Sequence, residues 1–169
     1  MKKIDQFTGD FEYLSNFSSH SFVDENETEW KTLEHFYQAA KTLHPLWRML
    51  IWEAPEPNIA KKLGRTCPLR QDWDKLRIFI MSKGLKFKFD QNTEIKVKLM
   101  STDGFVLIEG NNWHDNLWGD CLCKKCENIT GQNRLGELLM KLRDSYLGKY
   151  NNELEYLPTS QRRYYEQIM

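Results

Sequence analysis

Residues 30–41 read Trp30-Lys31-Thr32-Leu33-Glu34-His35-Phe36-Tyr37-Gln38-Ala39-Ala40-Lys41. At about 100° per residue, Glu34, Gln38 and Lys41 fall on one narrow face of a helix. A second face is apolar and is predicted to contact a core; it carries Leu33, Phe36, Tyr37, Ala40 and Leu43. The predicted helix covers roughly residues 33–43, with Thr32 as its N-cap. His44-Pro45 ends it, because the residue before a proline avoids helical dihedral angles.

The polar face of this helix combines a carboxylate with an amine. Glu34 is a candidate general base, and Lys41 is a candidate electrophile or nucleophile. The same spacing is also typical of a solvated polar stripe opposite a core stripe. Spacing alone leaves both interpretations open.

Helical periodicity continues through most of the chain. Further helices are predicted at 46–53, 58–63, 74–90 and 92–100, and the clearest core stripe is Leu135, Leu138, Leu139, Leu142 and Tyr146. Short extended segments are predicted at 11–14, 20–23 and 105–109. The predicted fold class is α+β, helix-rich, in one domain with a few short strands. A polar composition after Gly148 predicts a domain over residues 1–149 and a C-terminal polar extension over 150–169, with one short helix.

Composition excludes several classes of protein. The chain has 169 residues, of which 40% are hydrophobic, enough for one domain with a core. It carries 24 basic and 24 acidic residues, so no global charge attracts it to nucleic acid or anionic membranes. We find no run of 18 apolar residues and no signal-like start, and we predict a cytoplasmic protein with no membrane partner.

Two arginines follow a helix-stopping glycine in the segment from Gly64 to Arg70. The forked donors of Arg65 and Arg70 suit phosphate or carboxylate. A helix C-cap followed by a solvated loop explains the segment equally well.

Two tryptophans flank carboxylates in the segment from Trp113 to Asp120. Flat rings beside Asp115 and Asp120 are typical of a pocket that stacks a base and handles a proton. A capped hydrophobic loop is the alternative, and local sequence does not separate the two.

The last long helix is predicted to begin after Asn133, which fits an N-cap. Gly136 in its first turn allows another group to approach the backbone closely. Free amides at this helix N-terminus, with Arg134 beside them, predict an anion site. A plain capped helix start remains the alternative, because the spacing matches no nucleotide-binding fingerprint.

Three cysteines lie within six residues, at Cys121, Cys123 and Cys126. Zinc usually takes four protein ligands, and the chain has no second Cys-x-x-Cys pair. His114 or Cys67 completes a site only if the fold brings it close. Free or redox-labile thiols are therefore the favoured interpretation, and we predict no cofactor and no metal, with zinc at the three cysteines as the less favoured alternative.

In this order and spacing the motifs resemble the NADAR family, also called YbiA-like, over roughly residues 7–147. The matching residues are Leu14-Ser15-Asn16-Phe17, Trp30-x-Thr32-x-Glu34-His35-Phe36-Tyr37-Gln38-x-x-Lys41, Gly64-Arg65, Leu69-Arg70-x-Asp72-Trp73, Lys86-Phe87, Trp118-Gly119-Asp120 and Gly131-x-Asn133-x-Leu135-Gly136-x-Leu138-Leu139-Met140-x-x-Arg143. The stretch from Cys121 to Cys126 departs from the pattern, since it replaces the glycine-rich stretch of many relatives. The tail after Gly148 lies outside it.

The resemblance implies an N-glycosidase that hydrolyses a ribosyl–nitrogen bond without a cofactor. The implied catalytic residues are Glu34, Lys41 and Asp120. The resemblance and the local motifs together give the candidate substrate-binding residues Asn16, Phe17, His35, Gln38, Gly64, Arg65, Trp113, Trp118, Gly119, Asn133, Arg134 and Gly136.

One branch of the family removes ADP-ribose from guanine in nucleic acid, and another cleaves phosphoribosylamino-pyrimidine intermediates of riboflavin synthesis. We expect the first activity, with the second as the alternative. The expected partner is therefore ADP-ribosylated nucleic acid or a small phosphoribosyl metabolite. A module that binds ADP-ribose or NAD-related metabolites without cleavage also fits the arginines and tryptophans, and a thiol–metal interaction domain fits the cysteines.

Overall fold

The computed structural model describes residues 2–150 of the chain. Contacts divide these residues into two compact units. Residues 2–15 and 94–150 form the first unit, and residues 16–93 form the second. In chain order, the second unit is an insertion between the two segments of the first.

The second unit is mainly helical. Its elements are β2 (Phe22–Val23), β3 (Glu29–Trp30), α1 (Leu33–Ala39), α2 (Pro45–Glu53), α3 (Pro57–Thr66) and α4 (Trp73–Gln91). Strands β2 and β3 pair antiparallel. Helix α1 packs against α2, α3 and α4. A short helix with neighbours on three sides is the centre of this unit.

Every residue of α1 is buried, including its polar ones. The ring of Phe36 has three aromatic neighbours at centroid distances of 5.6–6.3 Å: Phe22, Trp30 and Phe87. Thr32 is the N-cap, as predicted, and its side chain accepts a hydrogen bond from the backbone amide of His35. Because α1 has no solvated face, its polar side chains must find partners inside the unit. The interpretation of a solvated polar stripe is therefore wrong.

Helix α1 ends at Ala39, four residues before the predicted end. Other segments donate hydrogen bonds to the chain at this end: Arg48 Nη1 donates to Ala39 O, the last helical carbonyl, at 3.4 Å, and Arg70 N donates to Lys41 O, in the turn beyond the helix, at 2.8 Å. These donors satisfy the carbonyl groups that a helix end leaves without partners. Lys41 consequently lies in the turn that follows the helix.

Helix α3 continues beyond Gly64, which was predicted to stop it. A Cβ atom at this glycine would overlap the side chain of Gln38 on α1. Gly64 therefore allows α3 to approach α1 closely. The predicted starts of α2 and α3 are each one residue late, because Pro45 and Pro57 occupy the first helical turn, where proline is favoured.

The first unit combines short strands with helices. Its elements are β1 (Lys2–Ile4), a 3₁₀ helix (Gly9–Leu14), α5 (Thr93–Ser101, entering from the second unit), β4 (Phe105–Leu107), β5 (Gly110–Asn111), β6 (Asp120–Cys121), a 3₁₀ turn (Lys124–Cys126) and α6 (Arg134–Tyr146). Strands β1 and β4 pair in parallel, as do β5 and β6. The prediction of an extended segment at 11–14 is wrong, since these residues complete the first 3₁₀ helix.

Helix α6 is held against β4 by a buried guanidinium. Arg143 Nη1 donates to Thr102 O and to Phe105 O, both at 2.9 Å. The backbone amide of Leu107 contacts Met140 Sδ at 3.5 Å. The core stripe predicted for this helix is buried, apart from half-buried Tyr146.

The α+β, helix-rich fold class is confirmed. Of the predicted C-terminal extension, residues 151–169 and their expected short helix lie outside the described residues. Within residues 2–150, no helix combines the length and apolar character that crossing a bilayer requires.

Replacing Gly84 with alanine is expected to destabilise the second unit. A Cβ atom there would overlap Leu33 Cδ1 and lie 2.8 Å from Phe36 Cδ1. Overpacking costs about 1–3 kcal/mol, which exceeds the gain of up to about 1 kcal/mol from helix propensity. We expect Gly84→Ala to lower the free energy of unfolding in urea. The exposed α4 variant Lys75→Ala is the control, and equal stability of the two variants would contradict the prediction.

Candidate active site

Glu34 is a buried carboxylate in the first turn of α1, with 4% of its surface exposed. Its Oε1 accepts a hydrogen bond of 2.6 Å from Gln38 Nε2, one turn along the helix. Its backbone amide donates to Asn16 O at 3.0 Å. The carboxylate is thus oriented from its own helix and its backbone is tied to the preceding loop. Such a group can stabilise a developing positive charge or accept a proton.

Two buried side-chain oxygen atoms, one on α1 and one in the loop bonded to its start, lack a donor. Gln38 Oε1 and Asn16 Oδ1 are buried, and no hydrogen-bond donor from the described residues reaches either of them. A buried acceptor without a partner costs about 1–3 kcal/mol, so native structures contain few. Both atoms can accept a hydrogen bond from a hydroxyl or N–H group of a bound molecule.

The amine of Lys41 lies within electrostatic reach of Glu34. Burial lowers the pKa of Lys41 below that of an ordinary lysine, while the negative charges of Glu34 and Cys67 oppose the shift. The positive charges of Arg65 and Lys61 lower the pKa further. A lowered pKa increases the fraction of neutral, nucleophilic amine. The carboxylate and amine predicted to share a helix face therefore interact electrostatically, although Lys41 lies beyond the helix end.

Cys67 is a neighbour of Lys41 that the sequence analysis did not assign to the catalytic group. Burial raises the pKa of its thiol, and the charge of Lys41 partly offsets the rise. The Sγ atom donates to Gly64 O at 3.6 Å. In the sequence, the only indication that Cys67 lies near the candidate catalytic group is its position three residues after Gly64.

The loop of residues 16–18 is held by two lysines. Lys61 Nζ lies 5.3 Å from the ring centroid of Phe17, and the fully buried Lys88 donates from Nζ to Ser18 Oγ at 2.6 Å. Sequence periodicity did not identify Lys88, because a lysine between Phe87 and Phe89 gives no signal of burial. Its contact with Ser18 helps to fix the neighbouring Asn16 and Phe17.

His35 is buried, and both ring nitrogens have partners within the second unit. Nε2 donates to Ala54 O at 3.1 Å, since a carbonyl can only accept. Nδ1 then accepts from the Thr32 hydroxyl at 2.8 Å. These bonds join the start of α1 to the end of α2. That His35 also contacts substrate remains a prediction.

The tryptophan-rich loop of the first unit is organised by short polar side chains. Asp115 Oδ1 accepts from the backbone amides of Leu117 and Trp118 at 3.2 and 2.9 Å. Asn111 Oδ1 accepts from the amides of Trp113 and Asp115. Such side-chain turns position the loop backbone. Trp113 is 56% exposed.

The prediction of free amides at the N-terminus of α6 is wrong. The amides of Asn133, Arg134 and Leu135 donate to carbonyls of the tryptophan-rich loop at 3.0–3.2 Å, and the acceptors are Gly119, Leu117 and Trp118. The loop itself therefore caps the helix and occupies the donors that an anion would need. Arg134 is exposed and pairs with Glu137 at 3.0 Å.

The side chain of Asn133 does not cap α6, although the residue occupies the N-cap position in a left-handed conformation. Its Oδ1 accepts from Glu109 N at 3.0 Å, and its Nδ2 donates to Leu107 O at 2.8 Å. The group that lies close to Gly136 is the carbonyl of Leu107 on β4, since a Cβ at Gly136 would overlap Leu107 O. Both residues join α6 to β4.

Asp120 and Gly119 lie where β6 begins. Asp120 Oδ1 accepts from Gly131 N at 2.8 Å. A Cβ at Gly119 would overlap Glu109 O, so the glycine permits close approach to the neighbouring backbone. The backbone contacts of Gly119 and Gly131 fix the position of the Asp120 carboxylate.

The predicted site residues thus form one group in each unit. The second unit brings together Asn16, Phe17, Glu34, Gln38, Lys41, Gly64 and Arg65 around α1. The first unit brings together Trp118, Gly119, Asp120, Asn133 and Gly136, with Trp113 and Arg134 exposed. Arg70 instead forms a two-point ion pair with Asp72, with distances of 2.6 and 3.0 Å.

The family of the chain follows from comparison with known proteins. A family model described as the NADAR domain matches residues 5–146. The chain belongs to the NADAR family. One NADAR domain model thus covers residues of both units, and the predicted resemblance is confirmed.

Relatives of similar length are named N-glycosidases. A Shigella flexneri protein named N-glycosidase YbiA is 38% identical over 138 residues, which cover 80% of each chain. The NMR structure of the E. coli protein YbiA matches with a TM-score of 0.76 and 30% identity over 90% of each chain. This NADAR chain is an enzyme of the N-glycosidase class.

A longer plant relative has a different name. The Zea mays chloroplastic riboflavin biosynthesis protein PYRR is 37% identical over 154 residues, which cover 82% of this chain and 24% of the plant protein. This chain therefore matches most of a protein of about its own length and a minor part of a longer one.

Lowering the pH is expected to destabilise the NADAR fold through His35. Burial lowers its pKa, the carbonyl of Ala54 opposes the shift, and Lys31 adds to it. In the unfolded chain His35 therefore takes up a proton near pH 6.5, whereas in the folded chain it does so only at a lower pH. The stabilising contribution is complete above about pH 6.5 and is lost as pH falls toward the folded pKa.

Urea unfolding measured from about pH 7.5 to 5 tests this linkage. His35→Gln should flatten the loss of stability at acidic pH, whereas the exposed control His44→Gln should retain it. The same acid dependence in wild type and His35→Gln would contradict the assignment.

Proposed function

We propose that this NADAR protein hydrolyses the bond between a ribose anomeric carbon and a nitrogen, and that its substrate is ADP-ribosylated guanine in nucleic acid. The observation that carries the proposal is the buried Glu34 carboxylate, oriented by Gln38 within electrostatic reach of the Lys41 amine.

Glu34 has two possible roles in the cleavage. Breaking the carbon–nitrogen bond leaves an oxocarbenium-like positive charge on the ribose, which a carboxylate in a water-poor site stabilises. The same carboxylate can accept a proton from the water whose oxygen bonds to the anomeric carbon. In either case the nitrogen leaves with the bonding electrons and takes up a proton. We assign that donor role to Asp120.

Lys41 offers a second route to the same products. When the ribose ring of the N-glycoside opens, its C1 becomes an iminium carbon still bonded to the base nitrogen. The neutral amine adds to this carbon, the base nitrogen leaves with the bonding electrons and takes up a proton, and water hydrolyses the resulting lysine imine to free the sugar and the amine. The lowered pKa of Lys41 favours this chemistry, because only the neutral amine is nucleophilic.

Recognition of the ribose and phosphates is assigned to polar groups around α1. Asn16 Oδ1 and Gln38 Oε1 are suited to accept hydrogen bonds from ribose hydroxyls. Arg65 is exposed and near enough to affect Lys41, so it is suited to a phosphate. Phe17 and the rings of Trp113 and Trp118 are assigned to sugar and base stacking.

The preference for ADP-ribosylated guanine rests on the architecture of the relatives and on charge. The chain aligns along most of the N-glycosidase from Shigella flexneri, but along a small part of the plant riboflavin protein. Its balanced charge suits recognition of a single modified nucleotide without strong nonspecific binding to the duplex. The name of the plant relative favours a second candidate, phosphoribosylamino-pyrimidine intermediates of riboflavin synthesis.

A paired hydrolysis assay distinguishes the two candidates. DNA carrying ADP-ribosyl-guanine and phosphoribosylamino-pyrimidines are incubated separately with the protein, and products are identified by mass spectrometry. We expect release of ADP-ribose from DNA, reduced by about 10²–10⁴-fold in Glu34→Gln, because this is the typical contribution of an acid–base group.

The control for this assay is Glu53→Gln, which changes an exposed carboxylate on α2. Cleavage of the pyrimidines alone would assign the protein to small-molecule metabolism and reject the preferred substrate. Full activity of Glu34→Gln on either substrate would reject the catalytic role of Glu34.

Trapping with borohydride tests the Lys41 route. Reduction during turnover should leave a covalent sugar adduct on wild type and on the exposed control Lys62→Arg, and none on Lys41→Arg. Adduct formation should rise with pH as the amine loses its proton, with a midpoint below the ordinary lysine value of about 10.4. Glu34→Gln should move that midpoint lower, because the carboxylate raises the pKa of Lys41. Turnover without an adduct would favour direct attack by water.

A further inference from the structure

Four potential metal ligands converge beside the tryptophan-rich loop. They are His114, Cys121, Cys123 and Cys126, and their ligand atoms all lie within 4.8 Å of one another. His114 Nδ1 is 3.2 Å from Cys123 Sγ and 3.3 Å from Cys126 Sγ. The fold thus supplies the fourth ligand that spacing alone left open. Cys67 is not in this group.

We propose that His114, Cys121, Cys123 and Cys126 bind one Zn²⁺ ion in a closed structural site. Three thiolates and one imidazole form a common ligand set for structural zinc. Bonds of about 2.3 Å to sulfur and 2.0 Å to nitrogen, at tetrahedral angles, separate the ligand atoms by roughly 3.5–3.8 Å. The cluster requires only small side-chain adjustments to reach that geometry.

Hydrogen bonds to two of the sulfurs support the assignment. His114 N donates to Cys121 Sγ, and Asn116 Nδ2 donates to Cys126 Sγ, both at 3.3 Å. N–H groups directed at sulfur stabilise a thiolate and orient it toward a metal. The cysteine sulfurs are therefore held by groups outside the ligand set itself.

The backbone around the cluster has the turns that a compact site needs. Cys123 and Cys126 have the Cys-x-x-Cys spacing, and the 3₁₀ turn between them is closed by a 2.9 Å bond from Cys126 N to Cys123 O. His114 adopts a left-handed conformation with φ of 65°. That conformation is uncommon for a residue with a side chain and marks an enforced position.

The number of thiols argues against a disulfide as their purpose. Three cysteines cannot all pair with one another, and a bond between any two leaves the third sulfur beside the imidazole. One zinc ion uses all four groups at once. Three thiolates with Zn²⁺ carry one net negative charge, which the adjacent Lys124 and Lys125 offset.

The proposed ion has a structural role, since four protein ligands leave no position for a reacting water. Cys121 directly follows Asp120 on β6, and His114 lies four residues before Trp118. The ion would therefore fix both ends of the segment that carries Trp118 and Asp120. Metal loss should loosen this segment before it affects α1 in the second unit.

Metal analysis of protein purified without chelator and without a histidine tag tests the site. We expect one zinc per chain in wild type and in Cys67→Ser, the control that removes the cysteine outside the cluster. Cys123→Ser and His114→Asn should lose the zinc. Asparagine is chosen because it tolerates the left-handed conformation better than most residues.

Cobalt substitution gives a readout that does not depend on folding of the variants. Wild-type protein reconstituted with Co²⁺ should show the intense visible absorption of tetrahedral cobalt with thiolate ligands, and added Zn²⁺ should abolish it. A chelator should lower the unfolding temperature of wild type but not of Cys123→Ser.

Three outcomes would overturn the proposal. They are folded wild-type protein that takes up neither zinc nor cobalt, an intact mass that reveals a disulfide within the cluster, and full zinc content in both ligand variants. All of them are measured independently of glycosidase activity, so they are distinct from failure of the proposed function.

Discussion

A carboxylate enclosed by helices is the constraint that organises the second unit. Removing a charge from water costs several kcal/mol unless polar partners compensate. Gln38 supplies one partner from the same helix, and the Lys41 amine supplies opposite charge from the turn beyond it. Gly64 makes room for the Gln38 side chain, because any Cβ at this position of α3 would overlap it. The close packing of α1 and α3 thus leaves room for the side chain that orients Glu34. A purely apolar core would not need this arrangement.

In the first unit, the tryptophan-rich loop has an irregular backbone that is held without regular secondary structure. Asp115 and Asn111 replace strand partners by accepting backbone N–H groups, and loop carbonyls cap α6. These bonds occupy the donors at the helix start. The consequence for chemistry is that any anion in this region depends on side chains such as Arg134, not on the helix amides.

Local sequence predicted the features that depend on local physics. The Thr32 cap and the core stripe of α6 follow from spacing along the chain. The early end of α1 does not, because Arg48 and Arg70 from other elements donate to the carbonyls of Ala39 and of Lys41 in the following turn. The side chain of Asn133 likewise bonds to β4, a partner distant in sequence. Spacing left His114 and Cys67 as alternatives for a fourth ligand, and the fold decides between them because it brings His114 beside the three cysteines.

The order of the two units along the chain has a consequence for biosynthesis. Strand β1 pairs with β4, so Lys2 can pair only after Phe105, about a hundred residues later, has been synthesised. Residues 16–93, which form the second unit with helices α1 to α4, leave the ribosome before β4 does. Because domains fold as their residues become available, the unit that carries Glu34 is complete while the strand at the start of the chain still lacks its partner. We therefore expect Glu34 to reach its buried environment during translation, before β1 pairs with β4.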